Sequence, residues 1–478
     1  MERVSKLVVV GIAAAASLAA PPLCARDGDL DPRFGTGGMA QFLFQADHGV
    51  FPFTPLQDVA VTPDGGLVVA GSVYSGAGDA DLGVVRLNSS GNVVTVFGIS
   101  GGTRIAFNRP GSGMHDEFSG LAVQADGRIL VAGTAAGAAA DGSDFVVVRL
   151  TTTGQPDQSF GIGGRVIVPF NLGPANAVND SAARLTLQPD GRILVAGMAQ
   201  VGPGSNGAMA IVRLTNVGLR DSSFDVDGRV SIQFGAPYTS AQALRARQLA
   251  SGAVLVVGIA TRPHPSGIGM TTDFALARLT ATGALDPAFG VGGKVTFDFG
   301  VGGDGADGAT DFVELPDGRL IACGFARAFA PGNTDMACQR FLANGTPDPG
   351  YPPVLVPFDA GGSHYDIAMQ AVLDAQGRLL LAGHATTTEN MDFAVARLRP
   401  DGSLDPSFGR NGARTVNSCT GPCVDPEAEN VAAAIALQSD GRIVLAGRVK
   451  VNAVARNLFM VARMIGDTLL ADGFDPSP

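Results

Sequence analysis

Seven times along this chain a glycine closes an aliphatic run and an arginine follows one short loop later. The glycines are Gly71, Gly133, Gly197, Gly258, Gly324, Gly383 and Gly447. The arginines are Arg86, Arg149, Arg213, Arg278, Arg340, Arg397 and Arg463, at intervals of 57 to 66 residues. A unit of this length, copied this many times, governs how everything else is read.

The second copy shows the unit in full. Leu121 to Gly127 leads into Arg128 to Gly133, and a loop of small residues precedes Asp144 to Leu150. Gly154 to Phe160 then opens onto Gly164 to Phe170. Each aliphatic segment runs 5–7 residues and is rich in β-branched side chains, which suits strands and is too short for helices. The Asp126-Gly127 step supplies a tight turn. It recurs at Asp64-Gly65, Asp190-Gly191, Asp317-Gly318 and Asp440-Gly441, and loosens to Ser251-Gly252 and Gln376-Gly377. Because glycine persists where aspartate does not, backbone geometry is the stricter demand. The linker before the fourth strand repeats as Leu30 to Gly35, Leu285 to Gly290 and Leu404 to Gly409, with looser copies through Phe97, Phe160, Phe224 and Tyr351. Its aromatic is placed to plug the base of a sheet.

Four short antiparallel strands repeated about a ring make an all-β, seven-bladed β-propeller. The chain opens with a linker and an orphan fourth strand, Gly38 to Phe44, and its seventh unit stops after a third strand, Asn457 to Arg463. Pairing the N-terminal strand with the last blade closes the ring; an open solenoid would leave both as bare edges. Turns after first strands and linkers after third strands then share one face. The irregular loops, including 45–56, 108–118, 300–310 and 417–430, share the other, where recognition is expected.

Residues 1–25 read as a secretory signal peptide, with Arg3 and Lys6 before the apolar run Leu7 to Ala20; residues 26–464 form the propeller and 465–478 a tail. The remaining cysteines, Cys323, Cys338, Cys419 and Cys423, are even in number and fit two local disulfides in an exported protein. The mature chain has no apolar stretch approaching a membrane helix. A formal net charge of −11 without a basic run excludes a nucleic-acid binder.

One arginine per blade is scaffolding, its stem between blades and its fork on backbone carbonyls or a turn aspartate. An aspartate five residues earlier (Asp81, Asp144, Asp273, Asp335, Asp392) falls on the other sheet face and caps a loop. All five histidines (His48, His115, His264, His364, His384) are expected in variable-face loops, without metal-ligand spacing. Asp27, Asp29 and Asp31, and Asp304, Asp307 and Asp311, are acidic groups that leave calcium open as a ligand but read first as solvated loops. No catalytic or cofactor-binding residue is assigned, and the metal question stays unknown.

The phrases at 404–409, 187–197 and 392–398 resemble the uncharacterised delta-60 repeat family of exported bacterial proteins. That resemblance covers nearly the whole mature chain and implies no catalytic residues. The tail Leu470 to Asp475 resembles a carboxy-terminal signature of exported Gram-negative proteins. The expected function is a noncatalytic binding or scaffold role, secreted or periplasmic, toward an extracellular protein or glycan. The alternative is an extracellular propeller enzyme acting on polysaccharide or another exported substrate. The absence of tryptophan and the four tyrosines argue against an aromatic sugar platform.

Overall fold

The computed structural model describes residues 26–42, 57–76, 79–107, 116–137, 142–172, 179–202, 206–267, 269–300, 305–327, 333–358, 365–386, 391–417, 430–451 and 456–466. The expected leader, residues 467–478 of the expected tail, the pair Cys419 and Cys423, Asp304, and His48, His115 and His364 lie outside these residues.

Seven four-stranded antiparallel sheets form the blades. Blades one to six run in simple sequence order over 57–105, 116–168, 180–232, 240–297, 308–356 and 367–416. Blade seven combines Asn430–Leu437, Ile443–Val451 and Arg456–Met464 with Met39–Phe42 as its outer strand. Met39 pairs with Ala462 and Phe42 with Phe459, so the two ends of the chain share one sheet, as the end-matching argument requires. The first strands contact one another from blade to blade and line the axis.

The recurrence of the glycines has a local cause. In blades two to seven the first strand carries a β-bulge, and the repeat glycine pairs with the residue just before it: Phe118 with Gly133, Ala182 with Gly197, Ala243 with Gly258, Ala309 with Gly324, Ala368 with Gly383, Ala432 with Gly447. The bulge drives a carbonyl toward the glycine, and a Cβ on Gly258 would lie 1.9 Å from the Gln242 oxygen. Only a residue without a side chain fits. All seven turn glycines between first and second strands take positive φ, from 72° at Gly377 to 85° at Gly252.

Apolar burial is divided among seven clusters, each between neighbouring blades. The linker aromatics Phe34, Phe97, Phe160, Phe224, Phe289, Tyr351 and Phe408 are all buried at the blade bases. A backbone bond leaves the residue after most of them for the next blade, as in Gly161 N–H to the Val217 carbonyl. In blade five Cys323 faces Cys338 across two strands and the pair forms the expected disulfide, with Cα atoms 4.2 Å apart.

Candidate functional site

Three polar zones could carry function: the turn face, the axis and the loop face. On the turn face the repeat arginine reaches the linker aspartate eight residues later, as in Arg149 Nε to Asp157 at 2.7 Å, Arg213 to Asp221 at 2.7 Å and Arg397 to Asp405 at 2.8 Å. Its Nη1 donates to a carbonyl of the next blade, as Arg213 does to Ala281 at 2.8 Å. The guanidinium also stacks on the buried aromatic, 4.4 Å above Phe224 and 4.2 Å above Tyr351. The scaffolding assignment is therefore correct. Blades one and seven depart from this: the first linker has Val94 where the aspartate belongs, so Arg86 turns to Asp64 at 2.7 Å, and Arg463 takes Asp31 from the start of the chain.

The axis holds a group that the repeat pattern obscured. The residue after each bulge, together with Asp58 in blade one, forms a ring around it: Asp58, Gly120, Arg184, Arg245, Asp311, Gln370 and Ala434. Arg184 of blade three lies 3.1 Å from Asp58 of blade one and donates to the Ala433 carbonyl of blade seven at 2.9 Å. Gln370 of blade six donates to Asp58 at 3.3 Å and accepts from Ile435 N–H at 2.8 Å. Arg245 grips Asp311 through two bonds of 3.1 and 3.3 Å, and Arg247 adds a third at 2.8 Å. The Arg184 and Gln370 contacts with Asp58, and the Arg184 bond to Ala433, join non-adjacent blades, so side chains span the axis, while the Arg245–Asp311 group ties adjacent blades four and five. Burial opposes the Asp311 charge, but Arg245 and Arg247 outweigh it and hold its carboxyl below the ordinary range. The legible signal was a charged residue of balancing sign at one position of an otherwise aliphatic strand.

Asp311 was expected in a solvated acidic loop; it is instead a buried strand residue, because its partners are the inward arginines of blade four. Asp307 is also buried, accepting from Phe299 N–H at 2.8 Å and Arg327 N–H at 3.2 Å. Asp116, Asp180 and Asp366 cap the chain before their own blades in the same way, at Phe107, Phe170 and Phe358. Burial, with Asp144 adding repulsion, pushes Asp180 up to about 6. Burial, with Asp298 and Asp273, pushes Asp307 up to about 7. Of the aspartates five residues before the arginines, Asp81 meets Arg104, Asp273 meets Tyr238 and Arg262, and Asp392 accepts from Asn430.

Asp27 meets Arg397 at 3.2 Å, Asp29 meets Arg414 at 2.9 Å, and Asp31 is fully buried among arginines. Among the described residues no group of three or more His, Cys, Asp or Glu side chains could hold a metal ion. His264 sits in an exposed turn against Ser266. His384, expected in a loop, is a buried strand residue stacked on Tyr365 with centroids 6.1 Å apart. Burial lowers it to about 4, so it is neutral near pH 7. The two described histidines belong to blades four and six.

Six segments, 62–93, 124–160, 188–224, 250–289, 315–351 and 376–408, match a family described as a domain of unknown function (DUF5122) beta-propeller. Among solved structures, the β-propeller domain of the trilobed protease from Pyrococcus furiosus is 11% identical, with coverage of 87% of this chain and 95% of that one and a TM-score of 0.42. The GH93 α-L-arabinofuranosidase of Fusarium graminearum is 8% identical, with coverage of 92% and 96% and a TM-score of 0.41. Sqt1 from Chaetomium thermophilum is 12% identical, with coverage of 86% and 95% and a TM-score of 0.36. No curated protein matches the chain. At these identities no activity transfers to the chain.

Proposed function

We propose that the protein is an exported, noncatalytic binding or scaffold propeller that presents its variable-loop face to an extracellular protein or glycan. The observation that carries this reading is the employment of the axial charges. Asp58, Arg184, Arg245, Asp311 and Gln370 are each tied to another blade, so they brace a rigid ring. The turn face is likewise committed, its arginines held by the linker aspartates of their own blades and bonded to carbonyls of the next blade. Loop length varies on the opposite face while the turns and linkers keep theirs, which favours recognition there. Among the described residues no helix is long and apolar enough to cross a membrane.

Crosslinking the mature protein in its native exported fraction, followed by mass spectrometry, tests this. Crosslinks to one partner concentrated in segments 45–56, 108–118, 300–310 and 417–430 are expected. Hydrolysis of a polysaccharide panel, lost on substituting a single loop carboxylate, would replace this reading with the extracellular-enzyme alternative.

A further inference from the structure

The seam where the two chain ends meet departs from the other blade junctions. At three ordinary junctions the second residue after the linker aspartate is Ser159, Ser223 or Ser407, whose hydroxyl donates to that aspartate at 2.7–2.8 Å. The same hydroxyl accepts from the repeat arginine at 3.0 Å. Two further junctions carry Ala288 and Gly350 there. At the seam the position is Arg33.

That substitution gathers three guanidiniums on one carboxylate. Arg33, Arg442 and Arg463 approach the buried Asp31 at 3.1, 3.0 and 3.0 Å. Asp31 is the one carboxylate that all three share, and Arg442 Nε, 3.0 Å from it, lies outside good hydrogen-bond alignment. Asp440, paired with Arg442, is the other carboxylate facing the cluster, and three positive charges meet two negative ones. Burial, and then the neighbouring Arg33, lower the proton affinity of Arg442, and Asp31 offsets them only in part.

The cluster is also open. A cleft of about 470 Å³ lies over it, its polar lining including Arg33, Arg442 and Arg463, the serines Ser89 and Ser90, and Asp440, which is paired with Arg442. The corresponding cleft between blades six and seven measures about 110 Å³ and is lined by Arg378 and Arg397; Arg399 stands farther off, 3.9 Å from Asp405, and Asp27 and Asp374 add counter-charge to Arg397 and Arg378. The seam cleft falls within the range of small-ligand sites. Guanidinium forks match planar or tetrahedral oxyanions, and Arg33, with its side chain 55% exposed, keeps free donors at the rim.

We propose that the seam cleft binds the oxyanion group of a small molecule, a carboxylate, phosphate or sulfate, with Arg33 as the specificity-determining contact. It lies on the turn face and is independent of recognition by the variable loops. The net positive charge selects an anion, and the volume admits a group the size of one sugar ring.

The test is calorimetric titration of the mature protein with galacturonate, glucose 6-phosphate and inorganic sulfate at matched ionic strength. Saturable binding of at least one is expected, and the three arms separate a sugar acid, a phosphate ester and a bare ion. Arg33→Ser installs the residue found at three other junctions, so the ring should fold, and affinity should fall at least tenfold. Arg33→Gln should give the same loss if the serine variant fails to fold. Ser223→Ala, at an ordinary junction, should leave binding unchanged. Absence of saturable binding in all three arms, or equal binding by the Arg33 variants, overturns the proposal.

Discussion

Arg463 Nε lies 3.1 Å from the carboxylate of Asp31, a residue 432 positions earlier in the chain. The same bond in an ordinary junction, Arg149 to Asp157, spans only eight residues. The chemistry is identical and the topological consequence is not, because the long-range pair helps fasten the ring shut. Asp31→Asn would leave three arginines around a neutral amide. Breaking one side of a buried charge cluster costs about 3–5 kcal/mol. Urea unfolding should show a loss of that order, larger than for Asp286→Asn in the more exposed Arg278 pair.

The bulge glycines admit no side chain. A Cβ on Gly383 would lie 1.8 Å from the Ile367 carbonyl oxygen, and backbone cannot rotate away as a side chain could. Gly383→Ala should therefore destabilise by on the order of 3 kcal/mol, measured as a lowered unfolding midpoint. Gly37→Ala has open space around its Cβ and should cost less, limited to the strain of its positive φ.

Asp225 stands where five of the other six linkers have glycine, and it holds a φ of 52°. Its N–H still reaches the next blade at the Thr282 carbonyl, 2.6 Å away. A non-glycine residue in that region is strained by about 1 kcal/mol. Asp225→Gly should accordingly raise the thermal midpoint; an unchanged or lower midpoint would show that the aspartate side chain compensates.

Two buried aspartates set a slope of stability against pH. Asp180 and Asp307 are raised to about 6 and about 7, above the ordinary carboxylate value of 3.8. The folded state therefore holds more protons than the unfolded chain between about pH 4 and 7. Their contribution is present below that window and is lost as pH rises through it. Asp311, with a lowered value, acts oppositely and loses its contribution as pH falls below the ordinary range. Asp180→Asn and Asp307→Asn should flatten the decline from pH 5 to 8 in thermal scans. The sixth junction already uses this device, since Asn430 donates to Asp392 at 3.0 Å.

The Cys323–Cys338 bridge joins facing positions of one hairpin, 15 residues apart and fully buried. Closing a loop of that length contributes about 3 kcal/mol in the chain-entropy account. Cys323→Ala combined with Cys338→Ala should lower the unfolding midpoint by a corresponding amount while the far-ultraviolet spectrum keeps its β character.

Blade count, strand order and ring closure were legible in the sequence because each repeat repeats the same local physics. Asp126-Gly127 is a turn wherever it occurs, Phe160 needs a buried site, and an orphan strand at residue 39 needs the partner missing after residue 464. The repeat glycine and arginine were visible as a pattern, but their reasons were not. Gly258 is required by a bulge in the strand paired with it, and Arg149 by an aspartate and a carbonyl that the fold brings to its fork. His384 and Asp311 were misplaced into loops because polar side chains in glycine-rich company look solvated until strand ends are assigned. The axial ring was hidden for a deeper reason. Arg184 and Asp58 are separated by two blades in sequence and meet only where seven first strands converge, so tertiary structure alone decided that these charges brace the ring. Local propensity determined the blade; the geometry of closing a circle determined which side chains face one another across it.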